Sequence, residues 1–252
     1  MKPKVGKYAF VVEPFHCDFS NHLFMSSLCN DLLNVSDFHS EERGYGMSYL
    51  NKHSRTWVLS RLAVEMLSMP VAYDKIRIAT WVESAFRYFT ARNYAITCED
   101  GNRVFGYARS IWAMIDTGSR QPVDILQINN GLIKEYVTTE EPCPIARPDR
   151  VAVGEKSELA DKVSMRYHDI DVNGHVNSIK YIEHVLNAFP IEWYKKHPVK
   201  RLDIAYVAES HEGDELGLYM EQTGNAEFVV RMANTEQPNT DIVRCRVNFA
   251  KD

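Results

Sequence analysis

The chain lacks the features that mark two large classes of protein. Its 252 residues carry 29 Lys and Arg against 34 Asp and Glu, a formal net charge of -5, whereas nucleic-acid-binding domains are usually strongly basic. No run approaches the roughly 18 consecutive apolar residues that a membrane-spanning helix needs. These absences argue against a nucleic-acid binder and predict a chain without a membrane span.

The cysteines form no recognisable pattern. Their number is odd, their spacing is irregular and no C-x-x-C pair occurs, so neither a disulfide framework nor a zinc site is indicated. They are Cys17, Cys29, Cys98, Cys143 and Cys245. The apolar run at residues 9–12 is too short for a signal-peptide core. Reduced thiols without such a core predict a cytoplasmic location.

Two common catalytic fingerprints are also missing. No G-x-S-x-G motif occurs, and residues 44–46, Gly-Tyr-Gly, lack the third glycine of a dinucleotide-binding fingerprint. The first absence argues against a serine hydrolase and the second against a nucleotide-dependent enzyme. We therefore expect no cofactor.

The chain does contain a long-period internal repeat, in which each half has a polar loop, one helical pattern and then strand-like segments. Helices are predicted over residues 24–35 and 176–188. Strands are predicted over residues 54–67, 75–82, 89–98 and 103–115, and over 201–208, 215–221, 227–234 and 241–249. A meander of strands can bury one helix only by wrapping around it, so the predicted fold class is α+β with two tandem helix-in-sheet domains.

A segment rich in proline separates the two halves. Periodic apolar positions are few from about Asp116 to Lys162, and one short helix is expected over residues 128–136. The prolines are Pro122, Pro142, Pro144 and Pro148. We therefore predict an N-terminal domain at residues 1–127, a linker at 128–160 and a C-terminal domain at 161–252.

The most informative motif lies at residues 171–177, Asp-Val-Asn-Gly-His-Val-Asn. In an extended segment Asp171, Asn173 and His175 would project to one side, because alternate side chains share a face. A helical apolar pattern begins at Val176, and the unpaired N–H groups of a helix start can hold a carbonyl oxygen that gains negative charge. The motif indicates acyl-group chemistry, with loop and cap roles as the alternative.

Two other polar clusters are alternatives to this site. The loop at residues 16–22 has the repeat-equivalent place, but we interpret it as a structural copy that does not reproduce the two-residue alternation. His168 and Asp169, with Asp171 and His175, are metal-binding residue types. No helical histidine pair supports such a cluster, so we predict no metal site.

Several segments resemble acyl-acyl-carrier-protein (acyl-ACP) thioesterases of the plant plastid type and their bacterial relatives. They are residues 57–61 (Trp-Val-Leu-Ser-Arg), 80–82 (Thr-Trp-Val), 110–114 (Ser-Ile-Trp-Ala-Met), 171–177 and 180–182 (Lys-Tyr-Ile). The resemblance implies two tandem hotdog domains, each a long helix wrapped by an antiparallel sheet. It also implies hydrolysis of fatty acyl-ACP thioesters, a reaction of fatty acid biosynthesis.

The resemblance further implies catalytic residues in the C-terminal domain: Asp171, Asn173, His175 and Glu209. The family usually reads Glu-Cys where this chain reads Glu209-Ser210, and a serine without an activating base is a weak nucleophile. We expect Glu209 and His175 to activate water while Asn173 holds the carbonyl. Asp171 would fix His175 or Asn173 by a hydrogen bond. Direct attack by Asp171 or Glu209 through an anhydride stays open.

An acyl carrier protein bearing a fatty acyl chain is the partner that the resemblance implies. Acyl carrier proteins are strongly acidic, and the densest basic run of this chain could dock one, with a solvated turn as the alternative. Its predicted docking residues are Lys195, Lys196, Lys200 and Arg201. A monomer or a homodimer is expected. Two other functions stay open: a non-catalytic acyl-thioester-binding hotdog protein, and a hotdog hydratase or dehydratase.

Overall fold

The computed structural model describes residues 2–154 and 156–251. The chain forms two compact units, one of Met1–Ser60 and Val64–Arg147, the other of Arg61–Ala63 and Pro148–Asp252. In each unit one long helix accompanies a meander of antiparallel strands. The predicted α+β class with two tandem hotdog domains is therefore confirmed. None of the helices in the described part of the chain is long and apolar enough to cross a membrane.

The first unit begins with a strand that precedes its long helix. Its elements are β1 (Gly6–Val11), α1 (Met25–Glu41), α2 (Met47–Asn51), β2 (Arg55–Met66, apart from Arg61–Ala63), β3 (Lys75–Ala85), β4 (Phe89–Cys98) and β5 (Val104–Asp116). The strand order is β1-β3-β4-β5-β2. A short 3₁₀ segment lies at Pro14–His16, and two more lie within Ile125–Tyr136, separated by non-helical backbone at residues 128–131. The helix predicted over residues 128–136 is therefore only partly formed. The prediction for β4 is confirmed at both ends.

The second unit repeats this plan. Its elements are β6 (Glu158–Ser164), α3 (Ser178–Asn187), α4 (Ile191–Tyr194), β7 (Val199–Tyr206), β8 (Glu215–Gly224), β9 (Glu227–Asn234) and β10 (Asp241–Phe249). The strand order is β7-β10-β9-β8-β6. A 3₁₀ segment, Tyr167–Asp169, precedes α3. The predictions for β9 and β10 are confirmed, whereas β7 begins and ends two residues earlier than predicted.

Helix α1 is longer than predicted because polar residues continue its buried face. The apolar pattern stops at Val35, where the prediction ended. The Ser36 Oγ then lies 2.6 Å from the Tyr94 hydroxyl, and the Ser40 Oγ accepts a hydrogen bond of 3.1 Å from Arg92. All four of these polar side chains are buried. Satisfied polar partners replace apolar contacts there, so the helix continues.

The edge strands β1 and β6 were not predicted. In β6 every residue except Val163 is exposed, so its sequence carries no alternation of apolar and polar residues. Its residues form a strand because they pair with β8, from Glu158 opposite Met220 to Ser164 opposite Glu215. The pairing depends on backbone hydrogen bonds to a partner distant in sequence, which side-chain periodicity does not report.

Candidate active site

Residues 171–175 form a tight turn, so the expectation of an extended segment was wrong. The Asp171 N–H donates to the carbonyl of His175 at 2.8 Å, and the Gly174 N–H donates to the carbonyl of Asp171 at 3.0 Å. Gly174 has a φ of 79°, in the left-handed region that closes the turn. An isolated bridge pairs Ile170 with Val176 at its base. The turn, rather than strand alternation, brings Asp171, Asn173 and His175 together.

The Asp171 carboxylate holds the backbone of this turn. Its Oδ1 accepts hydrogen bonds from the backbone N–H groups of Asn173 at 2.8 Å and His175 at 3.4 Å. Its Oδ2 accepts one from the Asn173 carboxamide at 3.4 Å. The Asn173 side chain is exposed. Asp171 therefore orients the amide of Asn173, while its contact with His175 is to the backbone.

His175 lies against Glu209, which comes from the segment after β7. The His175 Nε2 is 3.3 Å from the Glu209 Oε2, and both side chains are partly exposed. The Val176 N–H donates to the carbonyl of Ser210 at 2.9 Å. That backbone hydrogen bond joins the turn to the segment after β7. It brings together two residues 34 positions apart in the sequence, an imidazole and a carboxylate able to exchange a proton.

The turn leads directly into α3. Asn177 is the N-cap of this helix, and its side-chain oxygen accepts a hydrogen bond of 2.9 Å from the Ile179 N–H. The N–H of Asn177 donates to the carbonyl of Asp169 at 2.7 Å. The positive end of the helix macrodipole therefore lies beside the turn, where it favours negative charge.

Ser210 faces the helix and not the turn. Its side chain is buried, and its Oγ is 2.6 Å from the hydroxyl of Tyr181 on α3. Burial raises the pKa of Tyr181 to about 12, against the smaller opposing effect of the hydrogen bond with Ser210. The hydroxyl of Ser210 is therefore already engaged in the core.

Two contacts near the turn involve residues that sequence reasoning did not select as catalytic. The ring of His211 lies 5.0 Å from the ring of His175, centroid to centroid. The His184 Nε2 on α3 is 3.5 Å from the Asp169 Oδ1. Alternation could have pointed to His211, because it lies two residues after Glu209. No sequence signal connects His184 to Asp169.

The first-half loop has the same turn, so the view that its spacing differs was wrong. The Asp18 N–H donates to the carbonyl of His22 at 2.7 Å, and the Asn21 N–H donates to the carbonyl of Asp18 at 3.0 Å. The Asp18 Oδ1 accepts from the backbone N–H groups of Ser20 and His22 at 2.8 and 3.1 Å. Asp18, Ser20, Asn21 and His22 thus correspond to Asp171, Asn173, Gly174 and His175.

The residues considered for a metal site take other partners. His168 packs edge-on against Tyr167, and Asp169 pairs with His184. Across residues 2–154 and 156–251, no three His, Cys, Asp or Glu side chains are grouped so that they could hold a metal ion.

The predicted docking cluster is partly paired within the protein. Lys195 makes an exposed ion pair with Glu192, with 2.5 Å between Nζ and Oε1. Arg201 holds the buried Asp203 through its Nε and one terminal nitrogen, at 2.6 and 2.9 Å. Lys196 is exposed and Lys200 is partly buried. Lys195 and Lys196 are therefore the exposed members of the cluster.

Two family models match the chain. The acyl-ACP thioesterase N-terminal domain matches residues 3–133, and the acyl-ACP thioesterase C-terminal domain matches residues 154–251. A crystal structure of an acyl-ACP thioesterase from Bacteroides thetaiotaomicron is 44% identical and covers 98% of each chain, with a TM-score of 0.91. The 12:0-ACP thioesterase from Umbellularia californica is 15% identical with a TM-score of 0.86, covering 100% of this chain and 99% of its own, which shows a shared fold.

Curated plant proteins are similar at lower identity. The oleoyl-acyl carrier protein thioesterase 2 of Arabidopsis thaliana is 27% identical over 94% of this chain and 68% of its own length. The oleoyl-acyl carrier protein thioesterase of Coriandrum sativum is 25% identical over 82% of this chain and 60% of its own length. The matches thus span between 60% and 68% of the length of these two plant proteins.

Proposed function

This chain belongs to the acyl-ACP thioesterase family, and on that premise we propose that it hydrolyses fatty acyl-ACP thioesters to free fatty acid and acyl carrier protein. The observation that carries the proposal is the 3.3 Å contact between His175 and Glu209 beside the start of α3. Such a pair supplies the acid and base that hydrolysis needs. The site residues lie in the second unit, within the C-terminal domain proposed at residues 161–252.

In the proposed mechanism Glu209 accepts a proton from the attacking water, and His175 orients that water or exchanges protons with it. The water oxygen bonds to the carbonyl carbon, the C–S bond then breaks, and the proton held by Glu209 passes to the leaving thiolate of the acyl carrier protein. The carboxamide of Asn173 and an N–H near the start of α3 hold the thioester carbonyl as its oxygen gains charge. Loss of such a donor typically costs on the order of 10²–10³ in rate. Asp171 supports this arrangement through its hydrogen bonds to Asn173.

The activity is tested by incubating the purified protein with acyl-ACP thioesters of several chain lengths. We expect free thiol and free fatty acid to be released in equal amounts. Tight binding without release of either product would favour a non-catalytic acyl-thioester-binding protein. A change at the α and β carbons of the acyl chain, without thiol release, would identify a hydratase or dehydratase.

The assignment of residues is tested by substitution. His175→Ala and Glu209→Gln are each expected to lower turnover by roughly 100-fold or more, because each removes one side of the acid–base pair. His22→Ala is the matched control, since His22 has the corresponding place in the first-unit turn, and its turnover should equal that of the unchanged protein. Near-normal hydrolysis by either second-unit variant would reject the assignment.

We also propose that Lys195 and Lys196 attract the acidic acyl carrier protein. Their exposure supports this role, and the exposed ion pair of Lys195 with Glu192 costs little to break. Lys200 and Arg201 lie beside them, but Arg201 is already bound to Asp203. A docking role would appear as faster association with the carrier and as sensitivity to salt.

Charge reversal separates carrier docking from catalysis. The double variant of Lys195→Glu and Lys196→Glu should raise KM for an acyl-ACP substrate while leaving KM for a short soluble thioester unchanged. Charge reversal of the exposed Lys52 and Lys134 of the first unit is the matched control. Equal effects on both substrates would reject the docking role. A cytoplasmic location and a monomeric or homodimeric state stay predictions.

A further inference from the structure

The two units provide an internal comparison of the segment that follows β2 and β7. In the second unit the Val176 N–H donates to the carbonyl of Ser210, and the His211 N–H donates to the Asp214 Oδ2 at 2.8 Å. In the first unit the Leu23 N–H donates to the carbonyl of Pro70 at 2.9 Å, and the Val71 N–H donates to the Asp74 Oδ2 at 3.0 Å. The same backbone frame therefore holds both segments.

These matching hydrogen bonds show which residue of the second unit corresponds to which residue of the first. Glu209 of the second unit corresponds to Met69 of the first, and His211 corresponds to Val71. The turn keeps its Asp and its His in both units, so those residue types alone do not distinguish the proposed active site from its copy. The two positions on either side of residue 210 do distinguish them, because each is ionisable in the second unit and apolar in the first.

His211 also contacts the proposed acid–base pair. Its ring and the ring of His175 are 5.0 Å apart and inclined by 59°, within the range of favourable aromatic pairing. The torsion that turns an imidazole about its Cβ–Cγ bond is broad, so a neighbour is needed to hold one orientation. The bond from its backbone N–H to Asp214 anchors His211 at that place.

We propose that His211 is a positioning residue of the active site. Its ring packs against the imidazole of His175 and holds it so that the Nε2 points at Glu209. The inference rests on the proposed function, since it assigns the orientation of the pair that carries out hydrolysis. In the first unit Val71 offers no ring, and there His22 faces no carboxylate at the place of Met69.

Replacing His211 with the first-unit residue tests the proposal. His211→Val should lower kcat roughly two- to tenfold with KM unchanged, because a ring pair of this kind contributes an interaction of that size. His211→Phe, which keeps a ring at the site, should restore kcat. Val71→Ala, at the corresponding position of the first unit, should leave kcat unchanged. Full activity of His211→Val, or His211→Phe as slow as His211→Val, would overturn the proposal.

A second measurement keeps this test separate from that of the proposed function. An imidazole that points its Nε2 at the Glu209 carboxylate must carry a proton on that nitrogen to donate to it, so at a pH where His175 is neutral its ¹⁵N spectra should show the Nε2–H tautomer. In His211→Val the resonances should move toward a mixture of tautomers, and in His211→Phe they should not. Unchanged His175 resonances in His211→Val would overturn the positioning role. Absence of any hydrolysis by the unchanged protein would instead overturn the proposed function.

Discussion

At position 210 the side chain points away from the turn at residues 171–175 and into the core. Its hydroxyl is paired with that of Tyr181, and the neighbouring Glu209 faces His175. Side chains of successive residues in an extended segment point to opposite faces, so a carboxylate aimed at the site leaves the next residue aimed at α3. The serine thus stabilises the contact between α3 and the segment after β7, and the mechanism we propose assigns the hydrolytic chemistry to Glu209 and His175.

Ser210→Ala should lower the stability of the fold without lowering the rate of hydrolysis. We expect kcat to stay close to that of the unchanged protein, while the free energy of unfolding falls by about 1–3 kcal/mol because the Tyr181 hydroxyl loses its partner in the core. Urea denaturation and steady-state hydrolysis measure the two quantities. Tyr181→Phe combined with Ser210→Ala should cost less than the sum of the single changes. Complete loss of turnover in a folded Ser210→Ala protein would point to a serine nucleophile.

At the scale of elements, the turn at residues 171–175 is stabilised by hydrogen bonds and backbone conformations within the segment itself. Asp171 pairs with the N–H groups of Asn173 and His175, and Gly174 takes a positive φ. Nothing lies within 4 Å of the place that a Cβ on Gly174 would occupy, so only the backbone conformation restricts this position. The first unit has Asn21 at the corresponding place, with a φ of 66°.

Substitution of Gly174 should follow the preference of each residue for a positive φ. Gly174→Asn should keep both stability and turnover, because asparagine tolerates the left-handed region and Asn21 already adopts it. Gly174→Val should lower the free energy of unfolding by about 1–2 kcal/mol and lower kcat, because a branched Cβ opposes this conformation. Denaturant midpoints and kcat are the measurements. Equal stability of the two variants would contradict the proposed basis of the turn.

At the scale of the whole molecule, the first unit buries several polar side chains at and beside the C-terminal part of α1, among them Ser36, His39 and Arg92. His39 has no exposed surface, and its Nε2 lies 2.9 Å from the carbonyl of Lys4. Burial, and to a smaller extent the positive charge of Arg92, lowers the pKa of His39 to about 2. An unfolded histidine has a pKa of about 6.5. Below that pH the unfolded chain binds a proton at His39 that the folded chain does not bind. The free energy of unfolding therefore falls as the pH falls.

The dependence of stability on pH should therefore weaken when His39 is replaced. For His39→Gln, which keeps a side-chain donor, the free energy of unfolding should fall less steeply between pH 6 and pH 4. The expected difference in slope is roughly 1.4 kcal/mol per pH unit, the linkage value for one proton. Urea unfolding of both proteins across this pH range measures it, with pH 7.5 as the reference. Parallel curves would show that His39 takes no part in acid unfolding.

The structure confirms the internal strands more closely than the ends and edges of each unit. Strands β4, β9 and β10 have their predicted bounds, because their alternating or apolar residues report burial directly. Strand β6 is almost fully exposed, and α1 continues through polar residues whose partners lie on other strands. The contacts that stabilise β6 and the end of α1 are made with residues distant in sequence, so no local sequence pattern predicts them.

The site was predictable only in part, for a similar reason. His175 and Asp171 stand in a short local motif, whereas Glu209 entered through the resemblance to a family. The contact of His211 with His175 depends on the segment after β7 lying beside the turn. That arrangement is made by the hydrogen bond of Val176 with Ser210. Spacing within one stretch of sequence carries no information about such a bond.

The sequence by itself determined the repeat and the fold class, because both follow from the order of helical and strand-like patterns along the chain, and its motifs carried the resemblance to the family. Only the tertiary structure decided that the motif is a turn, that Ser210 faces the core and that His211 joins the pair of His175 and Glu209. It also showed that the first unit keeps the turn of the motif with Met69 in place of a carboxylate. Side-chain direction and long-range pairing are properties of the folded backbone, which one-dimensional spacing does not specify.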